Sequence, residues 1–278
     1  MTDLILAICS SVAISLIMRL SSNKVQNNIS MLSMNYLTCM LLGACFSGAG
    51  NLMPRDPALG WVVAVSIFNG FLYLAGFIAF QTSVRKNGMV LSALFMKLGL
   101  LVPMVLSVFL FREIPGGAQI VGFVLALGAI FLMNLQKDAA VSASFWGLLS
   151  VLILGGSADA MSKVFEELGP GHLSQQFLMY TFLSAFLMSL GVVRSKGQKF
   201  GKWEIFFGIL IGIPNFFSAK FLLGALGWLD AVIVYPTYSV ASLLMITLVG
   251  VFLFREKLTA RQWIGLGIIL PALALLNL

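Results

Sequence analysis

The chain has 278 residues, of which 60% are apolar and only 10% charged, with a mean hydropathy of +1.01. A soluble domain of this size cannot cover so much apolar surface, which excludes soluble enzymes and points to a multi-pass membrane protein. The net charge of +7 sits mostly in short links between apolar runs, the ordinary pattern for loops beside anionic lipid, and implies no nucleic-acid partner.

Apolar runs of about 20 residues, rising about 1.5 Å each, suffice to cross a hydrocarbon core of about 30 Å. They predict an all-α protein of ten transmembrane helices. In chain order these are Leu4–Leu20, Ser30–Gly48, Ala58–Val84, Gly88–Phe111, Ala118–Leu135, Phe145–Val164, Ser174–Val193, Trp203–Trp228, Ala231–Phe254 and Ala260–Leu276. The first begins almost at the N-terminus without a basic leader and is read as a retained helix. Cys9, Cys39 and Cys45 lie in apolar runs with no metal-type spacing, so they are packing residues rather than a disulfide framework or zinc site. The link Arg194–Lys202 is a solvated basic loop. Asn87 and Asp230 stand just before the fourth and ninth spans and are expected to cap them. Pro115 suits the first turn of the fifth span, and Thr259 with Gln262 forms a capping-box pattern for the tenth. Trp61, Trp146, Trp203, Trp228 and Trp263 fall near span ends, as interfacial anchors do.

The segment FLFRE occurs at Phe109–Glu113 and again at Phe252–Glu256, and Phe109–Leu135 aligns with Phe252–Leu278 without a gap. Identity extends to Gln119/Gln262, Gly122/Gly265, Ala129/Ala272, Leu132/Leu275 and Asn134/Asn277. Upstream, Arg19 aligns with Lys163 and Tyr36 with Tyr180. The chain therefore reads as two five-helix repeats, 1–142 and 143–278. Five is odd, so the repeats must have opposite orientation in the membrane, which is an inverted-topology arrangement.

Ten short-looped spans, this duplication and the FLFRE segments resemble the EamA-type members of the drug/metabolite transporter superfamily over essentially the whole chain. The resemblance implies a secondary transporter without cofactor, two halves rocking about a midplane cavity lined by spans 1, 3, 4, 6, 8 and 9, frequent homodimers, and cytoplasmic termini. The expected location is a bacterial-type plasma (inner) membrane. The chain departs from many relatives in carrying Ile246 where span 4 has Pro103, with the span 9 proline at Pro236 instead. Its first span also lacks the embedded glutamate that small multidrug relatives use for cations. Lysine and arginine counts favour the opposite orientation, with the termini outside.

Lys97, Asp159, Lys163 and Lys220 are charged residues inside spans. A charge at helix centre costs about 2.5–3.5 kcal/mol on insertion scales and so faces a partner or a wet cavity. Lys163, near the predicted end of span 6, is expected to snorkel to the interface. Lys97 lies about 15 Å along span 4 from Asn87, near the midplane; it is either neutralised by buried partners or lines the substrate cavity. Lys220 either snorkels partly or lines that cavity. Asp159 is an i,i+4 partner for Lys163, a counter-charge for Lys97 or Lys220, or the proton carrier of a coupled cycle. Tyr235, Tyr238, Ser239 and Ser242 mark one face of span 9, and Asn69, Asn215 and Asn35 are buried amides that need partners, either an interhelical hydrogen bond or the cargo. Pro103, Pro214 and Pro236 loosen helices where a midplane site is commonly built. Small residues at Ala118, Gly122, Ala126, Gly208 and Gly212 permit close helix approach, within or between protomers.

The leading reading is transport of a small carboxylate- or phosphate-bearing, amino-acid-like metabolite, with Lys97, Lys220, Asn215, Asn69 and the span 9 face meeting it. The alternative is export of drugs, hydrophobic cations or lipid-linked intermediates, which suits the aromatic interior. An intramembrane enzyme is disfavoured: His172 is the single histidine, and no His/Cys/Asp cluster or phosphate-binding glycine loop is present.

Overall fold

The computed structural model describes residues 1–48, 51–87, 92, 95–96, 98–134, 145–254 and 259–277. Their regular structure is helical: α1 (Thr2–Ser21), α2 (Asn28–Ser47), α3 (Leu59–Asn87), α4 (Leu101–Leu110), α5 (Gly117–Asn134), α6 (Phe145–Leu168), α7 (Ser174–Ser195), α8 (Lys202–Leu226), α9 (Ala231–Phe254) and α10 (Ala260–Leu276). Among the described residues, α1, α2, α3, α6, α8, α9 and α7 with its preceding 3-10 turn are long and apolar enough to cross a membrane. The apolar runs of α4, α5 and α10 are shorter. Large apolar side chains stand outward on many of them, as lipid contact requires. Phe109 and Leu110 of the first FLFRE segment are 79% and 67% exposed, and their aligned partners Phe252 and Leu253 are 81% and 67% exposed. The protein is an all-helical, polytopic membrane protein.

Local chemistry explains the helix starts. Thr259 and Gln262 form the expected capping box of α10, the threonine hydroxyl accepting from the Gln262 amide and the glutamine accepting from the Thr259 amide. The aligned Gln119 does the same work for α5, accepting from Gly116 N–H at 2.8 Å. Here α5 begins at Gly117, beyond Pro115, so the proline precedes the first turn instead of occupying it. Asn87 is expected to cap the fourth span, whose start lies outside the described residues. It is the last residue of α3, and its amide donates to Ser83 Oγ one turn earlier at 3.0 Å.

The helices gather into two compact units, neither contiguous in sequence. The first comprises Met1–Leu74 with Val164–Gly227. In it α2 packs along α7 and α8, and α8 also packs on α1. Small residues set these approaches. A methyl added at Gly212 would meet the Asn35 carbonyl at 2.8 Å, and one at Gly208 the Met31 carbonyl at 2.6 Å. Both glycines are thus spent on helix contacts inside one protomer. Tyr36, Tyr73 and Phe182 cluster across α2, α3 and α7, with ring centroids 5.7–6.5 Å apart.

The second unit comprises Ala75–Lys163 with Trp228–Leu278. Its core is Leu100, Ala126, Ala129, Ile130, Val240, Ile269, Ala272 and Leu276, contributed by α5, α9, α10 and the turn before α4. α5 and α10 lie side by side, and a methyl at Gly122 would come within 2.9 Å of the Ala272 carbonyl. Gly76 faces Gly155 across α3 and α6, and Gly156 faces the Gly99 carbonyl, so α6 is held close on two sides.

Candidate functional site

In the second unit, chemistry concentrates where α6, α9 and the turn after α4 converge. α4 ends in a left-handed turn at Arg112, φ 57°, a conformation that usually calls for glycine. The turn returns the Glu113 amide to the Ser107 carbonyl at 3.2 Å. Glu113 Oε1 then lies 2.7 Å from Lys163 Nζ, with the two side chains 9% and 3% exposed. Its other oxygen, Oε2, accepts from Val232 N–H in the first turn of α9 at 3.3 Å. The same ammonium is 5.8 Å from the centroid of the Phe111 ring.

This arrangement corrects two sequence expectations. Lys163 does not snorkel. α6 continues to Leu168, so Lys163 lies more than a turn inside the helix, where it is buried and ion-paired. The start of α9, expected to rely on Asp230, receives a carboxylate from Glu113 instead. Glu113 is the functional-looking residue that the sequence reading overlooked. Its signal was visible: a glutamate repeated at the same place in both FLFRE copies, at the end of an apolar run.

One turn before Lys163, the Asp159 backbone carbonyl accepts from Tyr235 Oη at 2.7 Å. Tyr235 is 1% exposed, and its hydroxyl is spent on the α6–α9 seam. Tyr238 and Ser239 are half-buried on the same face of α9. Ser242, 1% exposed, has a hydroxyl with no hydrogen-bond partner among the described residues, as does Ser107 on α4. A buried hydroxyl without a partner is costly unless water or a ligand meets it. Asn277, just after α10, donates to Thr237 Oγ1 of α9 at 3.2 Å.

In the first unit, Asn215 Nδ2 donates to Asn35 Oδ1 at 3.1 Å, one of the two uses foreseen for these amides. The Cys39 thiol donates to the same oxygen at 3.4 Å and approaches the Gly212 carbonyl at 3.2 Å. Asn69, 1% exposed on α3, keeps an Oδ1 without a partner among the described residues. Lys220 is half-buried on α8, with Nζ 3.5 Å from the centroid of Phe46, the penultimate residue of α2. Phe46 belongs to an aromatic group with Phe216 and Phe217. No carboxylate among the described residues forms an ion pair with Lys220. Lys97 lies outside the described residues.

Glu204 at the start of α8 accepts from the Gln26 and Asn27 amides at 2.9 and 3.2 Å, at the entrance to α2. Nearby, Lys24 Nζ sits 4.7 Å over the Trp203 ring. His172, in the 3-10 turn before α7, lies 2.8 Å from Asp56 in the link before α3, and this contact, with the Ala58 amide, holds the Asp56 carboxyl below its usual range.

The sequence profile of the EamA-like transporter family matches residues 1–135 and again residues 141–278. An uncharacterized protein of Haemophilus influenzae (strain ATCC 51907 / DSM 11121 / KW20 / Rd) is 24% identical over 284 residues, covering 98% of this chain and 96% of that one. A solved crystal structure aligns over 100% of this chain and 98% of its own at a TM-score of 0.70, with 14% identity. That last likeness is one of fold alone.

Proposed function

The chain belongs to the EamA-like transporter family, and so to the drug/metabolite transporter superfamily, whose members are membrane transporters and not enzymes; on that premise we propose that it moves a small metabolite bearing a carboxylate or phosphate by alternating access. In this reading the ten apolar runs all cross the bilayer, the segments 1–142 and 143–278 are inverted repeats, and the membrane is a bacterial-type plasma membrane. A homodimer is compatible with it. Cargo would meet Lys220, Lys97, Asn69, Asn215 and the α9 residues Tyr238, Ser239 and Ser242, while Asp159 serves as counter-charge or proton carrier.

The observation that carries the reading is the state of Lys220. Of the intramembrane lysines among the described residues, Lys163 is neutralised by Glu113, whereas Lys220 forms no ion pair among them and has the face of Phe46 against its ammonium. A cation in an apolar helix without a carboxylate is costly, and an anionic cargo removes that cost while bound. Uptake into proteoliposomes tests it. Lys220→Gln and Lys97→Met should each lower uptake of an anionic or zwitterionic substrate at least ten-fold, chiefly through KM. Full activity in both variants overturns the reading. Uptake of hydrophobic cations alone would favour the drug-export alternative, which the aromatic group around Phe46 also suits.

A further inference from the structure

We infer that Glu113 of the first FLFRE segment is a positioning residue of the transporter. Its carboxylate ties the first turn of α9 to Lys163 of α6 and so sets the placement of the hydroxyl-bearing face of α9. The inference rests on the reading that this face meets cargo.

The geometry gives the carboxylate two separate duties. Oε1 holds the Lys163 ammonium at 2.7 Å and Oε2 accepts from Val232 N–H at 3.3 Å. A helix start carries partial positive charge from its unpaired amides, so a carboxylate there is favourable. The ammonium supplies the balancing charge that burial demands. The bond from Tyr235 Oη to the Asp159 carbonyl, one helical turn from Lys163 on α6, is a second tie between the same two helices. Tyr235 itself lies one turn into α9, immediately before Pro236. A proline inside a helix removes an internal hydrogen bond, so α9 is weakest just beyond the clamp. The clamp therefore governs how the segment bearing Tyr238, Ser239 and Ser242 is presented. The left-handed turn at Arg112 is what brings Glu113 back to this place, which gives the compact Arg-Glu ending of the segment a structural task.

The test follows α9 without needing the cargo. In a background with Cys9, Cys39 and Cys45 replaced by serine, a reporter thiol is placed by Tyr238→Cys, and a control thiol in the other unit by Tyr73→Cys. Labelling by a membrane-permeant maleimide is timed in the full-length protein in liposomes. Adding Glu113→Gln should accelerate labelling at position 238 about ten-fold and leave position 73 unchanged. The pair Glu113→Gln with Lys163→Met, which removes both members of the ion pair, should give the same pattern, and it serves if the single variant does not fold. An unchanged rate at 238, or an equal rise at both positions, overturns the inference, the latter because general loosening is not positioning. Accelerated labelling at 238 alongside uptake that is indifferent to Lys220 and Lys97 would uphold the clamp while defeating the anionic-cargo reading.

Discussion

The two units hold a carboxylate at a helix entrance in different company. In the first, Glu204 meets the Gln26 and Asn27 amides at the entrance to α2, and no cation among the described residues forms an ion pair with it. In the second, Glu113 meets one amide of α9 and the full charge of Lys163. Both satisfy donors that a helix start leaves without partners. The difference lies in what remains when one member is removed. A nest of amides loses an acceptor and stays neutral, whereas a broken ion pair leaves a buried charge.

The largest expected effect follows from that asymmetry. Lys163→Met should destabilise the purified protein by about 3–5 kcal/mol, the usual cost of stranding one half of a buried pair. Combining it with Glu113→Gln should recover most of the loss, because the Glu113 carboxylate is then no longer left without its counter-charge. Thermal unfolding in detergent measures both. If the double variant is no more stable than the single one, the pair does not balance charge and the contrast fails.

A smaller effect is expected in the first unit. Glu204→Gln keeps the shape and one acceptor oxygen, so it should cost about 1 kcal/mol, within the range for loss of a capping interaction. A loss as large as that of Lys163→Met in the same unfolding assay would mean that the amide nest depends on full charge. The two devices would then be equivalent.

Much of the fold was legible because hydropathy reports lipid contact directly. The predicted runs fall on the observed helices where they are described, the first half of the fourth, Gly88–Phe111, lying mostly outside the described residues, and the Gln119/Gln262 alignment anticipated two matching helix starts. The overrun of α6 was hidden because Glu166 and Glu167 end the apolar run before the helix itself ends at Leu168. That misplacement produced the wrong expectation for Lys163. The pairing of Lys163 with Glu113 was illegible for a different reason. The residues are far apart in sequence, and no local periodicity encodes a contact between one helix and the turn after another. The Asn35–Asn215 bond stayed open between packing and ligand roles because an amide in an apolar run announces a need without naming the partner.

Ligand-induced stabilisation of the purified wild-type protein tests the central claim most directly, because a ligand that binds only the folded state raises its melting temperature. Matched anionic, zwitterionic and cationic metabolites would be compared, with Lys220→Gln beside the wild type. The account predicts stabilisation by carboxylate- or phosphate-bearing compounds that is lost in Lys220→Gln. Stabilisation by cations alone, undiminished in that variant, would contradict it.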